Sequence, residues 1–222
     1  MPLAAVGQIR STADLTHNLH QCQSLVKKAS EAGAAALFLP EAADYINTNP
    51  SLKLCKSVDD SEFVQGLLKS AREHRLPIHV GIHEPASGDK TKNTLIWINE
   101  EGKITHRYQK LHLFDVDIAG GPSLQESKSV ERGSELPEPF DSPLGKIGPQ
   151  ICFDMRFPEP GLTMIVDPWG KVIAELGGEA DEKGRGLDEG EIALAEIDTG
   201  YVEKIRQEIP LTRRTDVYAA LK

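Results

Sequence analysis

The sequence predicts an α/β fold with a mixed β-sheet, and three observations support this. In the first half of the chain, short apolar strands alternate with amphipathic helices, which is typical of parallel strands joined by crossover helices. In the second half, pairs of strands are separated by short turns, which is typical of antiparallel hairpins. The chain has 222 residues, of which 39% are hydrophobic and 27% charged, so one domain with a sizeable core is expected over residues 1–222.

The first half of the chain predicts three strands joined by two helices. The predicted elements are strands over Ala4–Ile9, Ala35–Pro40 and Ile78–Glu84, and helices over about Leu15–Ala32 and Asp59–Arg75. In the first helix, apolar side chains recur at helical spacing and Cys22 belongs to that stripe, so Cys22 is expected in the core. Asp59 and Glu62 have the spacing of a capping box, which predicts that the second helix starts near Asp59.

The second half of the chain predicts hairpins and loops. One hairpin is expected from Asn93–Asn99 with Lys103–Tyr108, and another from Thr163–Asp167 with Lys171–Leu176. The other predicted segments are a loop-rich region over Asp115–Pro143, a short strand at Lys146–Gly148, a charged mobile loop over Glu179–Glu189, a strand over Ile192–Ile197 and a helix over Tyr201–Glu208.

Cys152 lies where a strand over residues 146–151 is expected to end. A cysteine at a strand end, followed by a sharp turn, can be held rigidly with its sulfur exposed, as in a nucleophile elbow. The alternative is a buried cysteine that packs as a small apolar residue. The chain has three cysteines, spread widely, so a disulfide framework is not predicted and a reducing, cytoplasmic compartment is expected.

Two further strand ends carry reactive side chains. Glu41 follows the strand that ends at Pro40, and Lys110 follows the strand that ends at Gln109. Taken singly, the acid suits a solvated loop or a helix cap, and the lysine suits the surface. Together with Cys152 they supply what acyl transfer requires, namely a base, a cation for the oxyanion and a nucleophile. This chemistry needs no metal and no organic cofactor.

The segments around these residues resemble the three catalytic motifs of the nitrilase superfamily of carbon–nitrogen hydrolases. The segments are Leu39–Ala42, Tyr108–Asp115 and Ile151–Glu159, and they occur in the family's order. The resemblance implies that Glu41 is the base, Lys110 the cation, Cys152 the nucleophile and Glu126 a second, supporting glutamate. It also implies a four-layer α-β-β-α sandwich that hydrolyses a small carboxylate-bearing amide through a cysteine thioester, with release of ammonia or an amine.

The third motif, Ile151–Glu159, is more similar to ω-amidases and deaminated-glutathione amidases than to true nitrilases. The resemblance extends over Val6–Glu159 and resumes over Thr163–Tyr218. In the family, a helix and further strands follow the cysteine. Here only the ten residues Phe153–Leu162 lie between the cysteine and Thr163, and Pro158, Pro160 and Gly161 among them stop any helix before it has two turns. An internal segment is therefore expected to be missing between about 159 and 163, and the sandwich is expected to be incomplete. A homodimer contact implied by the resemblance would be weakened, and a non-catalytic, modulatory subunit stays open as an alternative.

Other side chains near the motifs are candidates for the substrate site. The predicted substrate-binding residues are Tyr45, Phe153, Asp154 and Arg156. A salt bridge with a nearby acid is the simpler expectation for Arg156. His79 and His83 share one face of a strand, but a metal site would need a third ligand and Glu84 points the other way, so no metal site is predicted.

Charge and hydropathy disfavour several classes of partner. The formal net charge of −9 argues against nucleic acid, since phosphate binding requires clustered Lys and Arg. No apolar run approaches the ~20 residues that span a bilayer. The first residues, Met1–Gln8, lack the basic region of a signal peptide. The expected partner is therefore a small-molecule amide substrate in the cytoplasm.

Overall fold

In a computed structural model of the chain, the structure describes residues 1–47, 53–117, 123–155, 164–167, 171–176 and 190–208. The helices are α1 (Leu15–Glu31), α2 (Glu62–His74) and α3 (Thr199–Glu208). The strands are β1 (Leu3–Gln8), β2 (Ala36–Phe38), β3 (Ile78–Pro85), β4 (Thr91–Ile98), β5 (Ile104–Gln109), β6 (Asp115–Asp117), β7 (Ser123–Gln125), β8 (Val130–Glu131), β9 (Phe140–Ser142), β10 (Gly145–Ile147), β11 (Met164–Val166), β12 (Val172–Glu175) and β13 (Glu191–Glu196). Short 3₁₀-helices cover Glu126–Lys128 and Cys152–Met155.

A seven-stranded mixed sheet forms the centre of the fold, in the order β13-β1-β2-β3-β4-β5 with β8 beside β4. Strands β1, β2 and β3 are parallel to one another, whereas β3 pairs with β4, and β4 with β5, in the antiparallel direction. The short strand β8 is parallel to β4. The edge strand β13, which comes last in the chain, is antiparallel to β1. Helix α1 lies between β1 and β2 in the chain, and α2 lies between β2 and β3. The predicted α/β class with a mixed sheet is confirmed.

Helices α1 and α2 pack on one face of this sheet. Alternate strand residues point toward them, including Val80 and Ile82 of β3 and Ile96 of β4. Cys22 of α1 lies in the same core with no exposed surface, as its place on the apolar stripe predicts. Burial raises the pKa of the Cys22 thiol, so this cysteine is a packing residue.

The opposite face of the sheet is covered in part by the strand pair β9–β10. Phe140 of β9 and Ile147 of β10 pack in one apolar cluster with Trp97 of β4. The rings of Trp97 and Phe140 meet edge-on, with centroids 5.3 Å apart. Strands β6–β7 and β11–β12 form two further two-stranded sheets. The described layers are therefore helices, a central sheet and fragments of a second sheet, as expected for an incomplete sandwich.

The predicted start of the second helix is wrong by three residues. Helix α2 starts at Glu62, and its N-cap is Ser61 rather than Asp59. The Ser61 hydroxyl accepts a hydrogen bond from the N–H of Val64 at 3.3 Å, which satisfies a donor that the first turn leaves unpaired. The predicted end is confirmed, since Arg75 caps the helix in the left-handed conformation with φ of 50°.

The strand predicted before Cys152 is shorter than expected. Strand β10 ends at Ile147, and the four residues that follow, before the 3₁₀-helix at Cys152, have no regular structure. Pro149 lacks the N–H that a strand position would donate, which explains the early end. The loop-rich region predicted over Asp115–Pro143 contains the short strands β6 to β9. The loop predicted over Glu179–Glu189 lies outside the described residues.

Strand β3 passes unusually close to the turn that carries Glu41. The N–H of Gly81 donates to the carbonyl of Pro40 at 3.0 Å, and the carbonyl of Gly81 accepts from the N–H of Ala43 at 2.9 Å. A Cβ at Gly81 would lie 2.6 Å from Cα of Glu41. The turn itself is sharp, with Ala42 at φ of 52° in the left-handed region. Glycine is therefore required at Gly81 because two backbones touch there.

Replacing Gly81 by Ala is expected to lower the free energy of unfolding by about 1–3 kcal/mol, because the added methyl group overlaps the Glu41 backbone. Gly148→Ala is the matched control, since no heavy atom lies within 4 Å of a Cβ built there. Its effect should stay within about 0.5 kcal/mol. Denaturant unfolding measures both variants, and an equal loss in the two would contradict the close approach at Gly81.

Candidate active site

The structure brings four predicted catalytic side chains to one end of the central sheet. Glu41 follows β2, Lys110 follows β5, and Glu126 begins the first 3₁₀-helix directly after β7. Cys152 begins the second 3₁₀-helix. Because β2, β3, β4 and β5 are successive neighbours in one sheet, the places where Glu41 and Lys110 leave it are determined by backbone pairing.

Lys110 is the buried centre of this group. Only 2% of the residue is exposed, so the alternative of a surface lysine is wrong. Its Nζ lies 3.2 Å from Oε1 of Glu41 and 3.0 Å from each carboxylate oxygen of Glu126. Burial by itself would lower the pKa of Lys110, but the charge of Glu41 and the hydrogen bonds to Glu126 outweigh it, and the pKa is raised. Lys110 is therefore a permanently charged ammonium ion.

Glu126 holds the lysine in place and is itself held by the backbone. Its Oε2 accepts a hydrogen bond from the N–H of Phe114 at 2.7 Å, and its side chain is 14% exposed. The side chain of Glu41 is more open, at 33%. The two carboxylates around Lys110 are thus unequal, since Glu126 is bound to backbone and lysine while Glu41 faces outward toward Cys152.

Cys152 occupies a sharp turn with an unfavourable backbone angle. Its φ is 48°, in the left-handed region that residues with a side chain rarely adopt, and the residue is exposed. Such conformations persist at functional sites when the surroundings enforce them. The conformation matches a nucleophile elbow, and the alternative of a buried, packing cysteine is wrong.

The thiol of Cys152 forms a hydrogen bond with the carboxylate of Glu41. Neighbouring protein atoms partly desolvate the sulfur and Glu41 repels a thiolate, so the pKa of Cys152 is raised above its ordinary value. Lys110 favours the thiolate but is outweighed. The resting site therefore holds a neutral thiol next to a carboxylate that can accept its proton.

Asn93 is a site residue that sequence analysis missed. Its Nδ2 donates to Oε1 of Glu41 at 2.5 Å and lies 3.5 Å from Oε1 of Glu126. Its carbonyl accepts from the N–H of Lys110 at 2.9 Å, and the residue is 5% exposed. Asn93 thus orients the outward-facing carboxylate. The signal in the sequence was an amide side chain two residues before the apolar run Leu95–Ile98 of a predicted strand.

A second missed pair, Asp44 and His83, holds the turn that carries Glu41. Oδ2 of Asp44 accepts from the N–H of His83 at 2.8 Å, and Oδ1 lies 2.9 Å from Nδ1 of the same histidine. Tyr45, predicted to bind substrate, stacks its ring on His83 with centroids 4.4 Å apart. Its hydroxyl hydrogen-bonds with Cys55. These contacts give Tyr45 a place in the scaffold of the Glu41 turn.

Phe153 is the predicted substrate-binding residue that faces open space. Its ring packs edge-on against Phe114, with centroids 5.3 Å apart. It lines a cavity of about 410 Å³ together with His112, Arg132 and Lys90. A cavity formed by the residue next to Cys152 is a suitable place for the body of a small substrate.

Asp154, which the sequence predicts to bind substrate, has its carboxylate engaged by the protein itself. Both oxygens of its carboxylate accept hydrogen bonds from protein donors at 2.7–3.1 Å, and its side chain is 5% exposed. A carboxylate occupied in this way has no free acceptor for a ligand. Arg156, also predicted to bind substrate, lies outside the described residues.

His79 and His83 have different surroundings although they share one face of β3. His79 packs beside Phe38, with ring centroids 5.1 Å apart, and burial lowers its pKa to about 4. His83 is bound to Asp44. Within the part of the chain that the structure describes, no three His, Cys, Asp or Glu side chains are placed to hold a metal ion.

The fold and the site define a hydrolase of the nitrilase type. Residues 3–161 match the family model described as carbon-nitrogen hydrolase. The chain therefore belongs to the carbon–nitrogen hydrolase family, and the predicted membership of the nitrilase superfamily is confirmed. Among the helices of the described segments, none is long and apolar enough to cross a bilayer.

Known relatives extend this likeness along the whole chain. It is 31% identical to the probable hydrolase nit2 of Schizosaccharomyces pombe, over an alignment of 283 positions that covers 100% of both proteins. It is 30% identical to the human deaminated glutathione amidase, over 100% of this chain and 85% of that protein. The crystal structure of the Caenorhabditis elegans NitFhit protein superposes with a TM-score of 0.83 at 27% identity, over 98% of this chain. This chain spans 66% of that longer protein.

Glu41→Gln is expected to lower the pKa of Cys152, because the substitution removes the negative charge that opposes the thiolate. At neutral pH the thiolate fraction should rise, and alkylation by iodoacetamide should become faster while amide hydrolysis is lost. The ultraviolet absorbance of the thiolate, followed against pH, reports the pKa. Mass spectrometry of the labelled peptides separates Cys152 from Cys22 and Cys55.

The matched control for this change is Glu31→Gln, which removes one negative charge from an exposed side chain at the end of α1. It should leave the titration of Cys152 where it is in the unmodified chain. A Cys152 pKa that does not respond to Glu41→Gln would contradict the hydrogen bond between the thiol and that carboxylate.

Proposed function

We propose that the chain hydrolyses a small carboxylate-bearing amide through a thioester on Cys152, with release of ammonia or an amine. The observation that carries the proposal is the position of Glu41, whose carboxylate contacts both Nζ of Lys110, at 3.2 Å, and the thiol of Cys152. A base shared between a nucleophile and a buried cation can deprotonate the first while the second stabilises the charge that develops on the substrate.

In the first half-reaction, Glu41 accepts the thiol proton as the sulfur attacks the carbonyl carbon. A C–S bond forms and the carbonyl electron pair moves onto oxygen. Glu41 then passes its proton to the amide nitrogen, the C–N bond breaks, and ammonia or an amine leaves. The acyl group stays on Cys152 as a thioester. Because the raised pKa of Cys152 keeps the thiol neutral at rest, base assistance is essential here, and it is typically worth about 10²–10⁴-fold.

In the second half-reaction, water attacks the thioester and Glu41 accepts a proton again. The C–S bond breaks, the carboxylic acid leaves and the thiol is restored. In both steps Lys110 faces the developing oxyanion, a contribution of about 3 kcal/mol for one well-placed donor. Glu126 compensates the lysine charge throughout, because it holds both of its oxygens 3.0 Å from Nζ.

The substrate class rests on a relative and on the cavity beside Phe153. A protein that is 30% identical to this chain is named for its action on deaminated glutathione. The cavity of about 410 Å³ is lined by the basic side chains of Lys90 and Arg132 and by His112, against one acid, Asp115. Glu41, Lys110 and Cys152 do not line this cavity, and Phe153 connects it to the turn of Cys152. Its surplus of positive charge favours a substrate that carries a carboxylate.

With short ω-amides of dicarboxylic acids, the chain is expected to release ammonia, and Cys152→Ala should reduce the rate by on the order of 10³-fold or more. Glu41→Gln should be similarly inactive, since the thiol loses its base. Cys55→Ser is the control that removes a thiol outside the catalytic group, and it should retain activity. Ammonia release that survives Cys152→Ala would exclude the thioester.

A second candidate, a subunit without catalytic activity, is favoured by signs of a missing segment. The alignment with nit2 of S. pombe extends over 283 positions, more than the 222 residues of this chain. On the hairpin β11–β12, Val166, Val172 and Ile173 are between 41% and 44% exposed. Exposed apolar side chains of this kind are typical of a strand whose packing partner is missing. We propose that residues 1–222 are one carbon–nitrogen hydrolase domain that lacks a segment between about 159 and 163.

Insertion of the corresponding segment of the S. pombe relative is expected to raise turnover, because a displacement of the nucleophile by 1 Å costs about 10²-fold. The longer chain should also melt at higher temperature and bind less of a dye that reports apolar surface. Equal turnover and an equally cooperative melting transition in the two chains would refute the missing-segment proposal and the inactive subunit with it.

A further inference from the structure

We propose that Asp154 is a positioning residue, which fixes the turn of Cys152 against the segment that carries Lys110. This inference rests on the function proposed above. Asp154 acts through Cys152 and Lys110, by holding the two segments at a set separation.

Four hydrogen bonds converge on the carboxylate of Asp154. Its Oδ2 accepts from the hydroxyl of Tyr108 at 2.7 Å and from the N–H of Ile151 at 3.1 Å. Its Oδ1 accepts from the N–H of His112 at 2.9 Å and lies 2.7 Å from Nδ1 of the same residue. The side chain is 5% exposed, so water does not compete for these positions.

The donors belong to the two segments whose catalytic side chains must meet. Tyr108 and His112 lie two residues before and two residues after Lys110. Ile151 directly precedes Cys152. One carboxylate therefore joins the surroundings of the cation to the surroundings of the nucleophile.

Asp154 is ionised, which makes these contacts strong and directional. Burial by itself would raise the pKa of Asp154, but the hydrogen bonds from Tyr108, His112 and Ile151 outweigh it, and the pKa is lowered. Hydrogen bonds to an ionised acceptor are shorter and stronger than neutral ones. Ile151 also packs against Tyr108 and Leu111, but an apolar contact of this kind sets no direction.

The segment that leads to Cys152 offers little other support. Strand β10 ends at Ile147, and a Cβ at Gly148 would meet no heavy atom within 4 Å. Cys152 nevertheless keeps a φ of 48°, a conformation that persists only where the surroundings enforce it. The hydrogen bonds of Asp154 supply such a constraint directly within the turn.

The test is a double-variant cycle on the pKa of Cys152, and it needs no substrate. In the unmodified chain, Glu41→Gln is expected to lower that pKa, since Glu41 lies against the thiol. In an Asp154→Asn background the sulfur is no longer held beside Glu41, so the same substitution should shift the pKa by less than half as much. Asp141→Asn is the matched control, because its carboxylate is 84% exposed, and it should leave the full shift.

His112→Ala is the second variant, and it keeps the experiment decisive if Asp154→Asn does not fold. The His112 side chain is 57% exposed, and its loss removes the Nδ1 contact while the backbone donor stays. In this background Glu41→Gln should shift the pKa of Cys152 by less than in the unmodified chain but by more than in Asp154→Asn, because only one of the four contacts with Asp154 is removed. The thiol titration is the readout for this variant, since His112 also lines the cavity beside Phe153 and its loss can change KM.

The inference is supported if Glu41→Gln shifts the pKa of Cys152 by less in either variant than in the unmodified chain. It is overturned if Glu41→Gln produces the full shift of that pKa in every variant that keeps the melting transition of the unmodified chain. Failure of the unmodified chain to hydrolyse any amide would overturn the proposed function instead, and the thiol titrations would still decide the role of Asp154.

Discussion

The cluster of Glu41, Lys110, Glu126 and Cys152 depends on a buried ammonium ion. Lys110 is almost without solvent contact, and a lone cation in that position would lose its proton rather than stay charged. Two carboxylates prevent this, Glu41 from the end of β2 and Glu126 from the 3₁₀-helix after β7. The need to compensate one charge therefore decides which three segments of the chain meet. It also leaves one of the two acids, Glu41, open toward the thiol and ready for proton transfer.

The position of Glu41 is determined by backbone packing as much as by charge. Gly81 lets β3 touch the turn, and the Asp44–His83 pair ties the far side of the same turn to β3. Asn93 then fixes the carboxylate itself. Each contact joins Glu41 to the central sheet, which is the most extensively paired part of the described structure. Glu41 is thus attached to the central sheet, which suits the role of proton acceptor proposed for it.

Cys152 is attached differently. It follows an irregular segment beyond β10, and its turn is linked to the Lys110 segment through side-chain hydrogen bonds rather than a strand. The pKa of its thiol is raised, because partial burial and the charge of Glu41 disfavour the thiolate more than Lys110 favours it. The proposed nucleophile and the proposed base are therefore electrostatically coupled to one another. Because no strand holds this turn, its position relative to the central sheet is the geometry most exposed to disturbance.

The sequence by itself determined the α/β class, the two main helices and the β4–β5 hairpin, because apolar periodicity and turn residues are local signals. It also predicted Glu41, Lys110 and Cys152 as catalytic residues, since their motifs are contiguous in the chain, and the structure brings these side chains together. Only the tertiary structure decided that β10 stops at Ile147, that Asn93 and Asp44 hold the base, and that Asp154 faces the protein rather than a ligand. The direction of the Cys152 pKa was likewise beyond the sequence. These features depend on burial, charge and hydrogen bonds between residues that are far apart in the chain. Such contacts form only when the fold brings the residues together, so the sequence alone does not show them.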